Sequence, residues 1–121
     1  DPFSPATLGP LTLRNRVIKA ATFEGVMRRG AVSDKLIEFH RRVAAGGVGM
    51  TTVAYCAVSR DGRVQRHTLV MEPERVPDLT RLTEAVHAEG GKICMQILHK
   101  VVMRINLECC TKCHQIPYYA F

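Results

Sequence analysis

The sequence predicts an α/β fold in which a parallel sheet is covered by helices. Three nearly charge-free runs typical of buried strands alternate with two amphipathic helical patterns. Each helix returns to the next strand through a glycine pair, whereas the strand-to-helix connections are long and polar. This order favours parallel strands joined by right-handed crossovers, with the functional residues at the carboxyl ends of the strands.

The first strand is predicted over residues 17–21, after a turn at Gly9-Pro10 and before a polar loop. Ser33 stands where a helix N-cap is expected. Apolar residues then recur at helical spacing over residues 34–45 until Gly46-Gly47, which indicates a helix that ends at these glycines.

The second strand is predicted over residues 48–58, where Thr, Val, Tyr and Cys dominate and no charge occurs. A second helix is expected to begin at Pro77-Asp78 and to stop at Gly90-Gly91. The apolar run at residues 92–98 is the third strand. Function is therefore expected around Thr22, Phe23, Ser59 and His99, where these strands end.

The charge pattern argues against a nucleic-acid partner. The net charge of +6 comes from scattered arginines, of which only Arg28-Arg29 and Arg41-Arg42 are adjacent, and the chain has no Trp. Nucleic-acid surfaces combine a basic stripe with interleaved aromatic residues. We expect instead a solvated, arginine-rich surface with some affinity for anionic ligands.

Hydropathy and cysteine usage favour a cytoplasmic location. No run approaches the roughly 18 apolar residues of a membrane helix, so no membrane span is expected. The first residues lack an initiator Met and a secretory pattern, which predicts a chain without its true beginning and without export. Five cysteines, an odd number that includes Cys109, Cys110 and Cys113, do not form a disulfide framework.

Four stretches at or near the predicted strand ends resemble the Old Yellow Enzyme family of NADH:flavin oxidoreductases. They are residues 8–16 (LGPLTLRNR), 20–25 (AATFEG), 57–63 (AVSRDGR) and 96–99 (QILH). The resemblance implies a (β/α)8 TIM barrel that binds FMN and passes hydride from NAD(P)H through the flavin to an activated C=C bond of a small-molecule substrate. Residues 1–99 would be the first three βα units and residues 100–121 a divergent cysteine-containing tail.

The resemblance also implies cofactor contacts on all three strands. The corresponding positions are Ala20, Ala21, Thr22, Ala54, Tyr55 and Gln96. The amide of Gln96 would offer one donor and one acceptor to the flavin pyrimidine edge, although a polar residue that simply ends a strand is the alternative. Thr22 would bond near the flavin O4/N5 edge or, alternatively, bond its own loop. Tyr55 is larger than the family's usual residue there, and its alternative role is packing.

The histidines carry less information. His99 matches the family's third-strand histidine, but the usual Ala-Gly-Arg continuation is replaced by Lys100-Val101-Val102, so His99 is only a possible site-face residue. Three further histidines are expected to be solvated, because none forms a ligand pair with another. They are His40 and His87 on the predicted helices and His67 in a loop.

The family's later elements are absent from these 121 residues, including its proton donor, its substrate-binding pair and its FMN phosphate loops. We therefore expect an amino-terminal fragment that turns over poorly or not at all. Three strands cannot close a barrel, so the outer edges of the first and third strands would need cover from the tail or from another chain. A non-catalytic fragment that binds a protein partner is one alternative.

Two other classes of function are weaker. Cys110-Thr111-Lys112-Cys113-His114 has the spacing of a c-type haem attachment, and the same cysteines offer ligands for zinc or an iron–sulfur cluster. Coincidence within the tail is the simpler interpretation, and no metal site is assigned. Gly46-Gly47-Val48-Gly49 is glycine-rich, but it joins a helix to a strand, which excludes a Rossmann phosphate loop.

Overall fold

The computed structural model describes residues 1–100 and 118–120. Its strands are β1 (Ala6–Leu8), β2 (Leu11–Leu13), β3 (Ile18–Phe23), β4 (Met50–Ala57), β5 (Leu69–Val70), β6 (Lys92–Leu98) and β7 (Tyr118–Ala120). The helices are α1 (Asp34–Ala45) and α2 (Val76–Ala88). Short 3-10 turns at Arg28–Gly30 and Pro73–Arg75 lie in the two strand-to-helix loops.

The main sheet is parallel at its centre, where β4 lies between β3 and β6. The strand–helix–strand–helix–strand order and the α/β class are confirmed. A β-hairpin of β1 and β2 precedes the sheet and turns at the predicted Gly9-Pro10. The ladders that join β4 to β3 and to β6 each shift register, between Lys19 and Thr22 and between Val53 and Cys56, as at a β-bulge.

The two outer edges of the parallel strands differ. Beside β3 no further strand lies among residues 1–100 and 118–120, so this edge is open as predicted. The edge of β6 pairs antiparallel with β7, with Gln96 opposite Tyr119. The tail thus covers one of the two edges for which we expected a covering partner.

Most element boundaries were predicted within two or three residues. The α1 and β6 predictions are confirmed, and Ser33 caps α1 by accepting a hydrogen bond from the Leu36 amide. The first strand begins one residue later than predicted and runs to Phe23, so Thr22 and Phe23 lie in the strand. Between residues 58 and 75 the prediction missed β5, a two-residue strand inside a polar loop.

The core lies between the sheet and the two helices. Leu36 of α1 and Leu82 of α2 pack there against Val53 of β4, and each is at most 1% exposed. Met27 and Leu69 from the strand-to-helix loops are also fully buried in this cluster, so both loops are anchored to the core. None of the helices described here is long and apolar enough to cross a membrane.

Arg14 links several elements at the amino-terminal end of the parallel strands, opposite the end that carries the candidate site. Its guanidinium donates to Val48 O at 3.1 and 2.8 Å, to Glu89 O at 2.7 Å, and to Ala44 O. Ala44 and Glu89 lie at the carboxyl ends of α1 and α2, where unpaired carbonyls and the helix dipole favour a cation. Part of the 8–16 motif is therefore structural.

Candidate active site

The carboxyl end of β3 presents small side chains to solvent. Along β3 exposed and half-buried residues alternate, and Ala20 and Thr22 are on the exposed side while Ala21 is half-buried. The Thr22 hydroxyl forms no hydrogen bond within the described part of the chain, so the alternative in which it bonds its own loop is not observed. Small side chains on this strand therefore leave the backbone accessible, and Thr22 adds one exposed hydroxyl.

Ala54 and Tyr55 lie on the neighbouring strand β4. Ala54 is 1% exposed and pairs in register with Phe23. The Tyr55 ring stacks on the Phe23 ring, with centroids 5.2 Å apart and an interplanar angle of 20°. Tyr55 therefore packs against the aromatic end of β3, in line with the packing alternative.

Gln96 lies at the same level of the sheet as the other candidates. Thr22 is opposite Val53, and Val53 is opposite Met95, the residue before Gln96. Neighbouring strands are about 4.8 Å apart, so Thr22 and Gln96 are separated across β4 by about 10 Å. The Gln96 amide is half-buried and forms no hydrogen bond with the side chains or backbone of residues 1–100. An amide of this kind offers one donor group and one acceptor to a ligand.

His99 packs against the loop that follows β4. A Cβ at Gly62 would come within 2.7 Å of His99 Cδ2, so the histidine ring lies directly on the glycine backbone. The Lys100 amide donates to Gly62 O at 2.8 Å. The 57–63 and 96–99 motifs thus meet in space, and we read His99 as a residue that positions this loop.

A buried polar cluster lies beneath β3 and corrects one prediction. His40 was expected in solvent but is fully buried, with Nδ1 2.7 Å from Thr51 Oγ1 and Nε2 3.9 Å from Glu24 Oε1. Lys19 forms an ion pair with Glu24. Burial, with a smaller contribution from Lys19, lowers the pKa of His40 to about 4, so the imidazole is neutral. His67 and His87 are exposed, as expected.

The fold and these strand-end motifs match one known family. A model of the NADH:flavin oxidoreductase / NADH oxidase family matches residues 1–108. The chain belongs to this family. Its members are FMN-linked oxidoreductases that use NADH or NADPH, which confirms the predicted family, cofactor and enzyme class. The match continues into residues 100–108, and the predicted domain division after residue 99 stays a prediction.

Curated relatives cover most of this chain but only part of their own length. The 4,4'-dithiodibutanoate disulfide reductase of Rhodococcus erythropolis is 64% identical over 110 residues, which are 91% of this chain and 27% of the relative. The metal reductase of Desulforamulus reducens is 43% identical over 95 residues, 78% of this chain and 14% of the relative. The chain thus spans about a quarter or less of the length of these relatives.

Solved structures confirm the barrel-type fold. Morphinone reductase in complex with tetrahydroNAD superimposes with a TM-score of 0.74 at 25% identity, over 81% of this chain and 27% of the other. A 2-naphthoyl-CoA reductase has a TM-score of 0.75 at 29% identity, over 81% of this chain and 15% of its own. The described residues correspond to one segment of such barrels.

The residues present fit FMN on chemical grounds. Ala20 and Thr22 leave the backbone of β3 open to a planar ring, and the Gln96 amide, which has no hydrogen-bond partner among residues 1–100, has a donor and an acceptor. Gly46-Gly47-Val48-Gly49 joins α1 to β4, as predicted, and so does not form a phosphate loop. The cysteine cluster at residues 109–114, considered above as a weaker haem or metal alternative, lies outside the described residues.

Proposed function

We propose that this chain supplies the first three strands of the FMN site in an NAD(P)H-dependent reductase whose substrate is a small disulfide. The observation that carries the proposal is the 64% identity over 110 residues to a 4,4'-dithiodibutanoate disulfide reductase. That identity spans all of the candidate strands, β3, β4 and β6. The other curated relatives named above are less similar.

Reduction of a disulfide to two thiols needs two electrons, which NAD(P)H supplies. A disulfide R–S–S–R, NAD(P)H and a proton give two thiols R–SH and NAD(P)⁺, so one S–S bond breaks and two S–H bonds form. FMN, when bound, carries the hydride equivalent between the nucleotide and the substrate. The protein orients these groups and tunes their electrostatics.

Each candidate residue has one task in this proposal. The Gln96 amide donates to and accepts from the pyrimidine edge of the flavin. The Thr22 hydroxyl, on the other side of β4, hydrogen-bonds near the O4/N5 edge of the flavin. Ala20, Ala21 and Ala54 allow the ring to approach the sheet. Tyr55 supports β3 through its stacking on Phe23 rather than through the cofactor.

Reduction of an activated C=C bond is the second candidate. The observation that favours it is the superposition on morphinone reductase, with a TM-score of 0.74. In that reaction the alkene takes up a hydride and a proton and no bond is cleaved to release a second product. The two candidates therefore differ in product count and in the appearance of free thiols.

The test is a hybrid enzyme in which residues 1–108 replace the matching segment of the Rhodococcus reductase. NADPH or NADH oxidation is followed with 4,4'-dithiodibutanoate and with 2-cyclohexenone, and thiols are counted with a chromogenic reagent. The proposal expects disulfide-dependent oxidation that releases two thiols per nucleotide. A folded, flavin-loaded hybrid that reduces only the enone would contradict it.

Replacement of Gln96 by Leu tests the flavin contact in the same hybrid. The change removes a donor and an acceptor at the pyrimidine edge, so we expect FMN affinity to fall by about tenfold or more. Gln65→Leu, in the exposed loop after β4, is the matched control and should leave the affinity unchanged. Equal flavin affinity in both variants would remove Gln96 from the site.

We further propose that the 121-residue polypeptide by itself turns over poorly. The sheet is open at β3, and the phosphate site of such barrels is commonly formed after their seventh and eighth strands. Incubation of the purified chain with FMN, followed by desalting, should leave little bound flavin. Equimolar retention of FMN would show that the three-strand half of the pocket suffices.

A further inference from the structure

Two loops at the carboxyl ends of neighbouring strands meet to form a basic pocket. One loop follows β3 and the other follows β4. The pocket, of about 530 Å³, is lined by Arg28 and Arg29 from the first loop and by Arg66 and His67 from the second. It is called the arginine pocket below. Although the arginines are scattered in the sequence, the fold concentrates three of them on the face that carries function in such barrels.

The junction between these loops is a defined structure. Gly30 is buried at φ 75°, and a Cβ there would lie 2.7 Å from Thr68 O, so the first loop touches the backbone of the second. The Arg29 amide, at φ 53°, donates to His67 Nδ1 at 3.1 Å. Thr68 is fully buried. The side chains that line the pocket therefore stand on an anchored base.

The three guanidinium groups of the arginine pocket have no carboxylate partner in the part of the chain that the structure describes. Within residues 1–100 and 118–120, the ion pairs involve other cations and leave Arg28, Arg29 and Arg66 unpaired with any carboxylate. The arginines that do pair are Arg41, Arg60, Arg75 and Arg81. An open pocket lined by unpaired arginines favours an anionic ligand, since guanidinium donates two parallel hydrogen bonds to a carboxylate or phosphate.

His67 adds one ring nitrogen that can donate to a ligand in the pocket. Because Nδ1 accepts the Arg29 amide, Nε2 is the ring nitrogen left to donate to a ligand. The pocket thus combines guanidinium donors with one imidazole N–H, and no carboxylate is among its lining residues.

We propose that the arginine pocket binds the oxyanion end of the substrate, and specifically a terminal carboxylate, while the reducible bond lies toward the strand ends. Its assignment to substrate rests on the proposed function. Support comes from the relative at 64% identity, which acts on 4,4'-dithiodibutanoate, a disulfide with a carboxylate at each end. A phosphate, such as the 2'-phosphate of NADPH, has the same recognition chemistry and is separated by the test.

The test measures binding by the 121-residue chain, without turnover, by calorimetry or ligand NMR at low salt. The probes are 4,4'-dithiodibutanoate, its uncharged dimethyl ester, NADPH and NADH. One variant is Arg28→Gln/Arg29→Asn/Arg66→Gln, with Asn chosen because it tolerates positive φ. A second variant, Arg28→Gln/Arg66→Gln, leaves the positive-φ residue Arg29 unchanged. Arg42→Gln on α1 is the control for loss of a positive charge outside the pocket.

The wild-type chain is expected to bind the dicarboxylate with a Kd of about 1 mM, in a salt-sensitive manner, and the diester far more weakly. Both pocket variants should weaken dicarboxylate binding about tenfold, whereas Arg42→Gln leaves it within twofold. The assignment is overturned if the dicarboxylate does not bind, if the variants bind it normally, or if only NADPH responds to them. None of these results depends on flavin, so they are distinct from a failure of the proposed reductase activity.

Discussion

At the scale of single residues, His40 shows that a polar side chain in this chain can be buried with polar partners from other elements. His40 lies in an apolar helical stripe and was expected in solvent, yet it is the buried partner of Thr51 and faces Glu24 and Lys19. Periodicity places a residue on the inner face of a helix but does not reveal which polar partner meets it. That partner comes from β4, a different element, so the sequence pattern alone could not provide it.

The pH dependence of stability tests the state of His40. The unfolded chain binds a proton at His40 near pH 6.5, whereas in the folded chain burial lowers the pKa to about 4. The unfolded state therefore holds more protons between these values, and the free energy of unfolding falls by up to roughly 3 kcal/mol as pH drops through this window.

The variant His40→Asn retains a polar group near Thr51 and should flatten this dependence. Urea unfolding at pH 7 and pH 5 provides the measurement, and His87→Asn on the exposed face of α2 is the control. A slope unchanged in His40→Asn would mean that His40 does not govern the window.

Gly62 tests the contact between two motifs. A methyl group at this position meets the His99 ring at 2.7 Å, so Gly62→Ala should displace the ring and cost about 1 kcal/mol of unfolding free energy. Added to His99→Ala, the same change should cost almost nothing, because the clash is gone. A double-mutant cycle by urea unfolding measures the coupling, and additive effects would show that the ring does not lie on Gly62.

At the scale of elements, charge-free strands and capped helices were predictable because their signals are local. Ser33 caps α1, and glycines end both helices, as the sequence indicated. The loops were not predictable in this way. Arg29 and His67 are 38 residues apart in sequence but hydrogen-bonded, and β5 is too short to leave a periodic pattern.

Arg14 provides a test of how the elements are held together. Its guanidinium binds carbonyls at the ends of both helices, so Arg14→Gln should lower the unfolding free energy by about 2–3 kcal/mol. Arg14→Lys keeps the charge but loses the planar set of guanidinium donors, so its unfolding free energy should fall by an intermediate amount. Arg16→Gln, at an exposed position, is the control. Equal stability of Arg14→Gln and the control would mean that this contact contributes little.

At the scale of the whole molecule, the described residues form three parallel strands with their helices, a segment that matches solved barrels at TM-scores of 0.74 and 0.75. The candidate flavin residues were inferred from the family resemblance and not from composition, because Ala, Thr and Gln at strand ends are common in any sheet. The fold adds that these residues lie at neighbouring register positions on the adjacent strands β3, β4 and β6. The arginine pocket depends on loop geometry alone.

The most direct test of the account is the flavin content of the hybrid that carries residues 1–108 in place of the matching segment of the Rhodococcus reductase. Visible absorbance after desalting gives the ratio of FMN to polypeptide. If these strands form their part of the FMN site, the hybrid retains equimolar FMN. A hybrid that is folded by circular dichroism but free of flavin would contradict the claim that this chain builds half of a flavin site.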